Sequence, residues 1–144
     1  MISRTAEKVL IVFAQVLVLI GLSISLILSV GANTMAQDPS LYDQVTDSLL
    51  HDSSNGLTVA EFEFLYEWIL QNDTYFFIFA GMMVISFVLS IIAYRQLPTD
   101  RPAKSATKWL IGSGFFAGII LLPSILLYVA AVFAYAKEVE IAEK

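Results

Sequence analysis

The stretch VLIVFAQVLVLIGLSISLILSVG, residues 9–31, contains no Asp, Glu, Lys or Arg. Two further stretches share this property, TYFFIFAGMMVISFVLSIIAY at 74–94 and WLIGSGFFAGIILLPSILLYVAAVFAYA at 109–136. About 20 apolar residues cross a hydrocarbon core of about 30 Å as a helix, which satisfies its backbone hydrogen bonds internally. The sequence therefore predicts an all-α membrane protein with three transmembrane helices, at about 9–31, 74–94 and 109–136.

The composition supports this fold class. Of the 144 residues, 58% are hydrophobic and 15% are charged, whereas soluble domains contain about 45–50% apolar and about 25% charged residues. A soluble protein of this size has a high ratio of surface to volume and could not bury so much apolar surface. We predict a single membrane domain over residues 1–144. Its first span is expected to be a retained helix, since the apolar run exceeds the length of about 7–15 residues typical of a signal peptide.

The third apolar stretch permits two interpretations. A single helix over 109–136 would be about 42 Å long, and Pro123 near its middle would kink it. Two shorter helices would instead form a shallow re-entrant hairpin. We predict the bent single helix, which places the C-terminus on the side opposite the N-terminus, whereas the hairpin would return it to the same side.

The basic residues orient the chain. Arg4 and Lys8 precede the first span, and the loop at 95–108 is basic, whereas the segment 32–74 contains no Lys or Arg. Because Lys and Arg in short loops stay on the cytoplasmic side, we predict a cytoplasmic N-terminus, an acidic extracytoplasmic insert at 32–74 and a cytoplasmic loop at 95–108. The basic residues of this loop either anchor the topology or contact anionic lipids. They are Arg95, Arg101, Lys104 and Lys108.

The acidic insert contains the start signals of two helices. Asp38 is a typical N-cap residue, and Pro39 after it is tolerated at the first helical position. Thr58 and Glu61 have the spacing of a capping box. The sequence therefore predicts a two-helix cap at about 39–51 and 59–71.

The second cap helix is too apolar to be covered by one short partner helix. Its excess apolar surface could pack on the first cap helix, lie on the membrane or dock a partner protein. The candidate docking residues are Phe62, Leu65, Tyr66, Trp68 and Ile69.

Residues that carry catalysis or bind cofactors are sparse. The predicted spans contain no charge, and Gln15, their main polar residue, is expected to hydrogen-bond a neighbouring helix. His51 is the only histidine, and no nucleophile motif accompanies it. The acidic residues lack the spacing of a calcium loop, and no phosphate-binding glycine pattern is present. We predict that the protein is not an enzyme and binds no cofactor, metal or nucleic acid.

Small residues recur at four-residue spacing in two spans. Such spacing lets membrane helices approach closely, either within one chain or between subunits. The candidate helix-packing residues are Gly21, Ser25 and Ser29 in the first span and Gly114 and Gly118 in the third.

The opening RTAEKVL at residues 4–10 is followed by a span, an outer loop and a Gly-rich hydrophobic block at 109–123. This layout resembles a family of small multi-pass bacterial membrane proteins of unknown function. The overlap in layout covers most of the chain, and the heptapeptide is its only motif. The resemblance implies the cytoplasmic membrane of a bacterium of Gram-positive type and assigns no site residues. The acidic insert and the acidic tail differ from the basic endings expected in that family.

Together, these observations favour a non-enzymatic accessory or scaffolding subunit of a bacterial membrane complex, such as a transporter or an envelope system. Its expected contacts are membrane lipids and either a membrane-protein partner or a second copy of the chain. One alternative is a small homo-oligomeric channel or lipid-handling protein that associates through Gly114 and Gly118. Another is an immunity protein whose acidic cap traps a basic, membrane-active peptide.

Overall fold

The computed structural model describes residues 4–51, 57–97, 104–118 and 121–142, and these ranges contain α-helices and no strand. The all-α prediction is therefore confirmed for the described residues. The helices are α1 (Thr5–Gln37), α2 (Pro39–His51), α3 (Val59–Gln71), α4 (Asp73–Arg95), α5 (Lys104–Phe116) and α6 (Leu121–Ala142).

Two helices, α1 and α4, are long and apolar enough to cross a membrane, as the sequence predicted for both. Helix α1 has 33 residues and extends beyond the predicted span at both ends, and α4 has 23 residues. Each helix contains an 18-residue stretch of high mean hydropathy. Only 17% of this stretch in α1 and 28% of it in α4 is buried inside the chain. A core helix of a soluble protein is mostly buried, so both helices expose much more apolar surface than such a helix would.

The prediction of a third transmembrane helix over 109–136 is wrong. This stretch is divided between α5 and α6, and neither is long enough and apolar enough to count as a third spanning helix. The two helices pack against each other as an antiparallel hairpin, in which Gly114 lies beside Tyr128 and Thr107 shares a cavity with Tyr135. The two-helix alternative for this stretch is therefore the observed one, and re-entry of the hairpin into a membrane stays a prediction.

The break between α5 and α6 has a local cause. The Gly118 N–H donates to the Phe115 carbonyl over 3.1 Å, a tight turn that ends α5. The Ser124 hydroxyl donates to the Gly114 carbonyl over 2.8 Å and satisfies an acceptor near the end of that helix. Pro123 is the third residue of α6, where a backbone N–H has no partner within the helix. Pro123 therefore stands in the first turn of a helix and does not kink a long one.

The chain divides into two compact units. One consists of Met1–Ser23 with Phe79–Lys144, and the other consists of Ile24–Ile78. The first, which we call the four-helix unit, contains the start of α1, most of α4 and the hairpin. The second, which we call the cap unit, contains the rest of α1, α2, α3 and the start of α4.

Small side chains dominate the core of the four-helix unit, which permits close approach of helix backbones. Buried serines connect its helices: the Ser86 hydroxyl donates to the Ser113 carbonyl over 2.9 Å, and the Ser113 hydroxyl donates to the Ser86 carbonyl over 2.7 Å. The Gln15 amide donates to the Ser90 hydroxyl over 3.1 Å, which confirms its predicted interhelical hydrogen bond. The buried alanines are Ala14, Ala93, Ala106, Ala117, Ala130, Ala131 and Ala134.

The cap unit contains both predicted cap helices at the predicted bounds. The Ser40 N–H donates to the Asp38 carboxylate over 3.1 Å at the start of α2. At the start of α3, the Glu61 N–H donates to the Thr58 hydroxyl over 3.3 Å, and the Thr58 N–H donates to the Glu61 carboxylate over 2.8 Å. The predicted capping box is therefore confirmed.

Candidate functional site

The five predicted docking residues lie on different faces of α3. Phe62 and Tyr66 are half-buried against Tyr42 of α2, with ring centroids 5.9 Å and 4.9 Å from the Tyr42 centroid. Leu65 and Trp68 are instead 43% and 49% exposed, and the fifth residue, Ile69, is half-buried. The apolar stripe inferred from the sequence thus includes residues that hold α3 to α2.

The exposed apolar surface of the cap unit, which we call the α3 face, consists of Leu57, Phe64, Leu65 and Trp68. Phe64 is the most exposed of them, at 68%, and sequence analysis did not include it among the docking candidates. Its spacing of four residues from Trp68 and seven from Leu57 was the available signal. The Trp68 ring packs edge-on against Phe76, with centroids 5.8 Å apart, which orients the indole.

A second surface feature of the cap unit is an open groove of about 330 Å³, which we call the tyrosine groove. Tyr42 and Tyr66 contribute aromatic rings, and Asp43, Glu63 and Glu67 contribute carboxylates. The described residues contain no group of three or more His, Cys, Asp or Glu that could hold a metal ion. Aromatic faces and carboxylates together suit an organic cation such as a lysine or arginine side chain. The remaining lining residues are Met35, Ala36 and Pro39.

Two other carboxylates of the cap unit serve helix ends. Hydrogen bonds from the Ser40 hydroxyl and backbone lower the pKa of Asp38 below its ordinary value. Hydrogen bonds from the Thr58 backbone and side chain do the same for the pKa of Glu61. His51 lies at the end of α2, where its ring Nδ1, taken as protonated, donates to the Asp47 carbonyl over 2.8 Å. These three side chains stabilise helix termini.

A buried charge cluster lies in the four-helix unit, where α1 begins and α6 approaches its end. We call it the Glu7 cluster. The Lys137 ammonium lies 2.9 Å from one Glu7 carboxylate oxygen and donates to the other over 3.0 Å, and the Arg4 guanidinium lies 3.4 Å from Glu7. The side chains of Arg4 and Glu7 are almost fully buried. Sequence analysis gave residues 4–10 only as the motif of a family resemblance. It did not predict the pairing of Glu7, because the partner lysine is 130 positions away in the sequence.

The candidate packing residues of the third apolar stretch lie inside the hairpin. A Cβ atom added to Gly114 would lie 2.8 Å from a ring carbon of Tyr128, so this glycine permits the close contact between α5 and α6. Gly118 lies in the turn that ends α5. Because Tyr128 covers Gly114, less of the surface at this glycine is available for the predicted association of two copies of the chain.

The candidate packing residues of the first span occupy one side of α1. Ser29 is fully buried, and Gly21 and Ser25 are half-buried. The Ser29 carbonyl accepts from the Asn33 side-chain amide over 2.9 Å.

The basic loop is described only at its ends. Arg95 ends α4 and Lys104 begins α5, Lys108 is exposed on α5, and Arg101 lies outside the described residues. The Ser105 hydroxyl donates to the Gln96 side chain over 2.6 Å and connects the two ends. Contact of the four basic residues with anionic lipids stays a prediction.

Comparisons of the chain with protein-family models, curated proteins and solved structures find no match. The resemblance of the opening heptapeptide therefore stays a prediction, and the sites above are the basis for function.

Proposed function

We propose that this chain is a non-enzymatic accessory subunit of a bacterial membrane complex, and that it docks its protein partner through the α3 face. The observation that carries the proposal is an exposed cluster of three large apolar side chains, Phe64, Leu65 and Trp68, on a helix whose other face already packs on α2.

The proposed location is the bacterial cytoplasmic membrane, with α1 and α4 as the crossing helices. The basic N-terminus and the basic loop at 95–108 are then cytoplasmic, and the cap unit is extracytoplasmic. The α5–α6 hairpin enters from the cytoplasmic side and returns to it, because Lys137 of α6 pairs with Glu7 at the start of α1. The C-terminal tail is therefore proposed to be cytoplasmic.

Two features of the α3 face support a protein partner. Exposed aromatic residues such as Trp68 are typical anchors of protein interfaces, and the indole is held in place by Phe76. The face also borders a groove of about 430 Å³ lined by Leu57, Ala60 and Phe64, among others. An apolar groove beside exposed aromatic side chains suits an inserted side chain or helix better than it suits water.

Site-specific photocrosslinking in intact cells tests this proposal. A photoreactive residue at Phe64 or Trp68 is expected to give the same discrete protein adduct, and Gln44 and Ser48, exposed on α2, are the matched control positions. Trp68→Ser is expected to abolish the adduct formed at position 64. Adducts to lipid alone, or equal protein adducts at positions 44 and 48, would contradict docking through the α3 face.

A second candidate function, an immunity protein that sequesters a basic peptide, is supported by the tyrosine groove. Its rings and carboxylates would bind a lysine or arginine side chain through cation–π and ionic contacts. Binding of a basic peptide to the purified chain is expected to weaken strongly in Tyr66→Ala and in the double variant Glu63→Gln with Glu67→Gln. Unchanged toxin sensitivity of cells that lack the protein would exclude this function.

A further inference from the structure

A groove in the four-helix unit lies between the first turns of α1 and the last turn of α4. Its volume is about 330 Å³. Lys8 and Tyr94 form one end, where the Lys8 ammonium lies 5.7 Å from the centroid of the Tyr94 ring. We call it the Lys8 groove, and its lining residues are Thr5, Lys8, Val9, Val12, Phe13 and Tyr94.

The charge at this groove is not compensated within the described chain. The neighbouring cations Arg4 and Lys137 share the buried carboxylate of Glu7. Lys8 forms no ion pair with any described carboxylate, and its ammonium lies over the face of the Tyr94 ring. Arg95, which follows Tyr94 and ends α4, is exposed as well. The positive charges of Lys8 and Arg95 therefore favour an anion at the Lys8 end.

Apart from Thr5, the remaining lining residues of the groove are apolar, and they face away from the core. One stripe of α1 consists of Val9, Val12 and Phe13, which lie one, four and five positions after Lys8. Phe13 is 62% exposed. With a rise of 1.5 Å per residue, the stripe extends about 7 Å along α1 from the charged end. Positive charge at one end of an apolar stripe matches a molecule with an anionic head and a hydrocarbon chain.

We propose that the Lys8 groove binds one anionic phospholipid. Its headgroup charge lies against the Lys8 ammonium, and the first methylene groups of an acyl chain lie along Val9, Val12 and Phe13. This site differs from the basic loop at 95–108, for which the sequence predicts contact with anionic lipids through charge. The proposal shares the membrane location proposed above and is independent of the partner at the α3 face.

Native mass spectrometry of the full chain tests the proposal. The protein is reconstituted in nanodiscs of equal phosphatidylglycerol and phosphatidylcholine, and the lipid that stays bound on release is identified. One phosphatidylglycerol per chain is expected to be retained in preference to phosphatidylcholine. Lys8→Gln is expected to reduce this preference about fivefold, the contribution of one basic residue at a membrane surface, whereas Lys8→Arg retains it.

Lys108→Gln is the comparison variant, because it removes one exposed positive charge from the basic loop at 95–108, whose lipid contacts are a separate prediction. It is expected to reduce the preference much less than Lys8→Gln does. Soluble glycerol 3-phosphate, which has the anionic head without chains, is expected not to displace the bound lipid. Equal retention of the two lipids by the unchanged protein, or equal losses in Lys8→Gln and Lys108→Gln, would overturn the proposal. Failure of the chain to enter nanodiscs at all would instead contradict the membrane location.

Discussion

Glu7 is the residue at which the beginning and the end of the four-helix unit meet. Its carboxylate is fully buried, and it pairs with Arg4 on its own helix and with Lys137 on α6. A buried ion pair contributes little net stability when complete, but removal of one member leaves its buried partner without compensation. Glu7 therefore holds the end of α6 next to the start of α1.

Glu7→Gln is predicted to destabilise the protein by about 3 kcal/mol, because the buried Arg4 guanidinium then loses its ionic contact with Glu7. Thermal unfolding in detergent, followed by intrinsic fluorescence, measures the change. Asp47→Asn, at an exposed carboxylate of α2, is expected to leave the unfolding temperature unchanged. Equal unfolding temperatures for Glu7→Gln and the unchanged protein would contradict the assigned role of the cluster.

A substitution at Gly114 tests the close contact between α5 and α6. Gly114→Leu is predicted to destabilise the protein by about 1–3 kcal/mol, since the side chain would overlap the Tyr128 ring. Gly81→Leu is the control, because no atom lies within 4 Å of a Cβ added at Gly81. Tyr128→Ala in the Gly114→Leu background is expected to recover part of the loss. Equal changes of the unfolding temperature in Gly114→Leu and Gly81→Leu would contradict the contact between Gly114 and Tyr128.

At the scale of elements, the acidic insert was predictable from sequence and the third apolar stretch was not. Helices α2 and α3 begin at side-chain signals, Asp38 and Thr58, that act on the next few backbone groups. In residues 109–136, hydropathy is uniform and gives no indication of a break. The informative signals there were Gly118 and Pro123. A proline kinks a helix when it lies in the middle, whereas it is tolerated in the first turn, and the sequence alone does not distinguish the two positions.

The same limit applies to the candidate sites. The stripe on α3 identified Leu65 and Trp68 but could not separate them from Phe62 and Tyr66, which pack on Tyr42. Contact between α2 and α3 decides which apolar residues are covered, and residue spacing on one helix carries no information about it. The Lys8 groove and the Glu7 cluster depend on α4 and α6, which are distant in sequence.

The capping box of α3 predicts a local pH dependence. Hydrogen bonds from Thr58 lower the folded pKa of Glu61 below its ordinary value of 4.5. The stabilisation by the box is therefore fully present above that value and is lost as the pH falls through the folded pKa. Amide hydrogen exchange in the first turn of α3, corrected for intrinsic rates, should accelerate over that range. Glu61→Gln should remove this pH dependence, and its persistence would contradict the assignment.

At the scale of the whole molecule, the proposed topology consists of two membrane crossings followed by a hairpin that returns to the side from which it enters. The C-terminal end of α6 is then on the same side as the N-terminus, whereas a third crossing would place it with the acidic insert. The chain contains no cysteine, so single cysteines can report accessibility without a background to remove. The suitable positions are Gln44 on α2, Lys108 on α5 and Ala142 at the end of α6.

Labelling of these three single-cysteine variants in intact cells with a membrane-impermeant maleimide tests the proposed topology. Gln44→Cys is predicted to react in intact cells, whereas Lys108→Cys and Ala142→Cys react only after the membrane is permeabilised. Reaction of Ala142→Cys together with Gln44→Cys in intact cells, with Lys108→Cys protected, would show three crossings and contradict the returning hairpin.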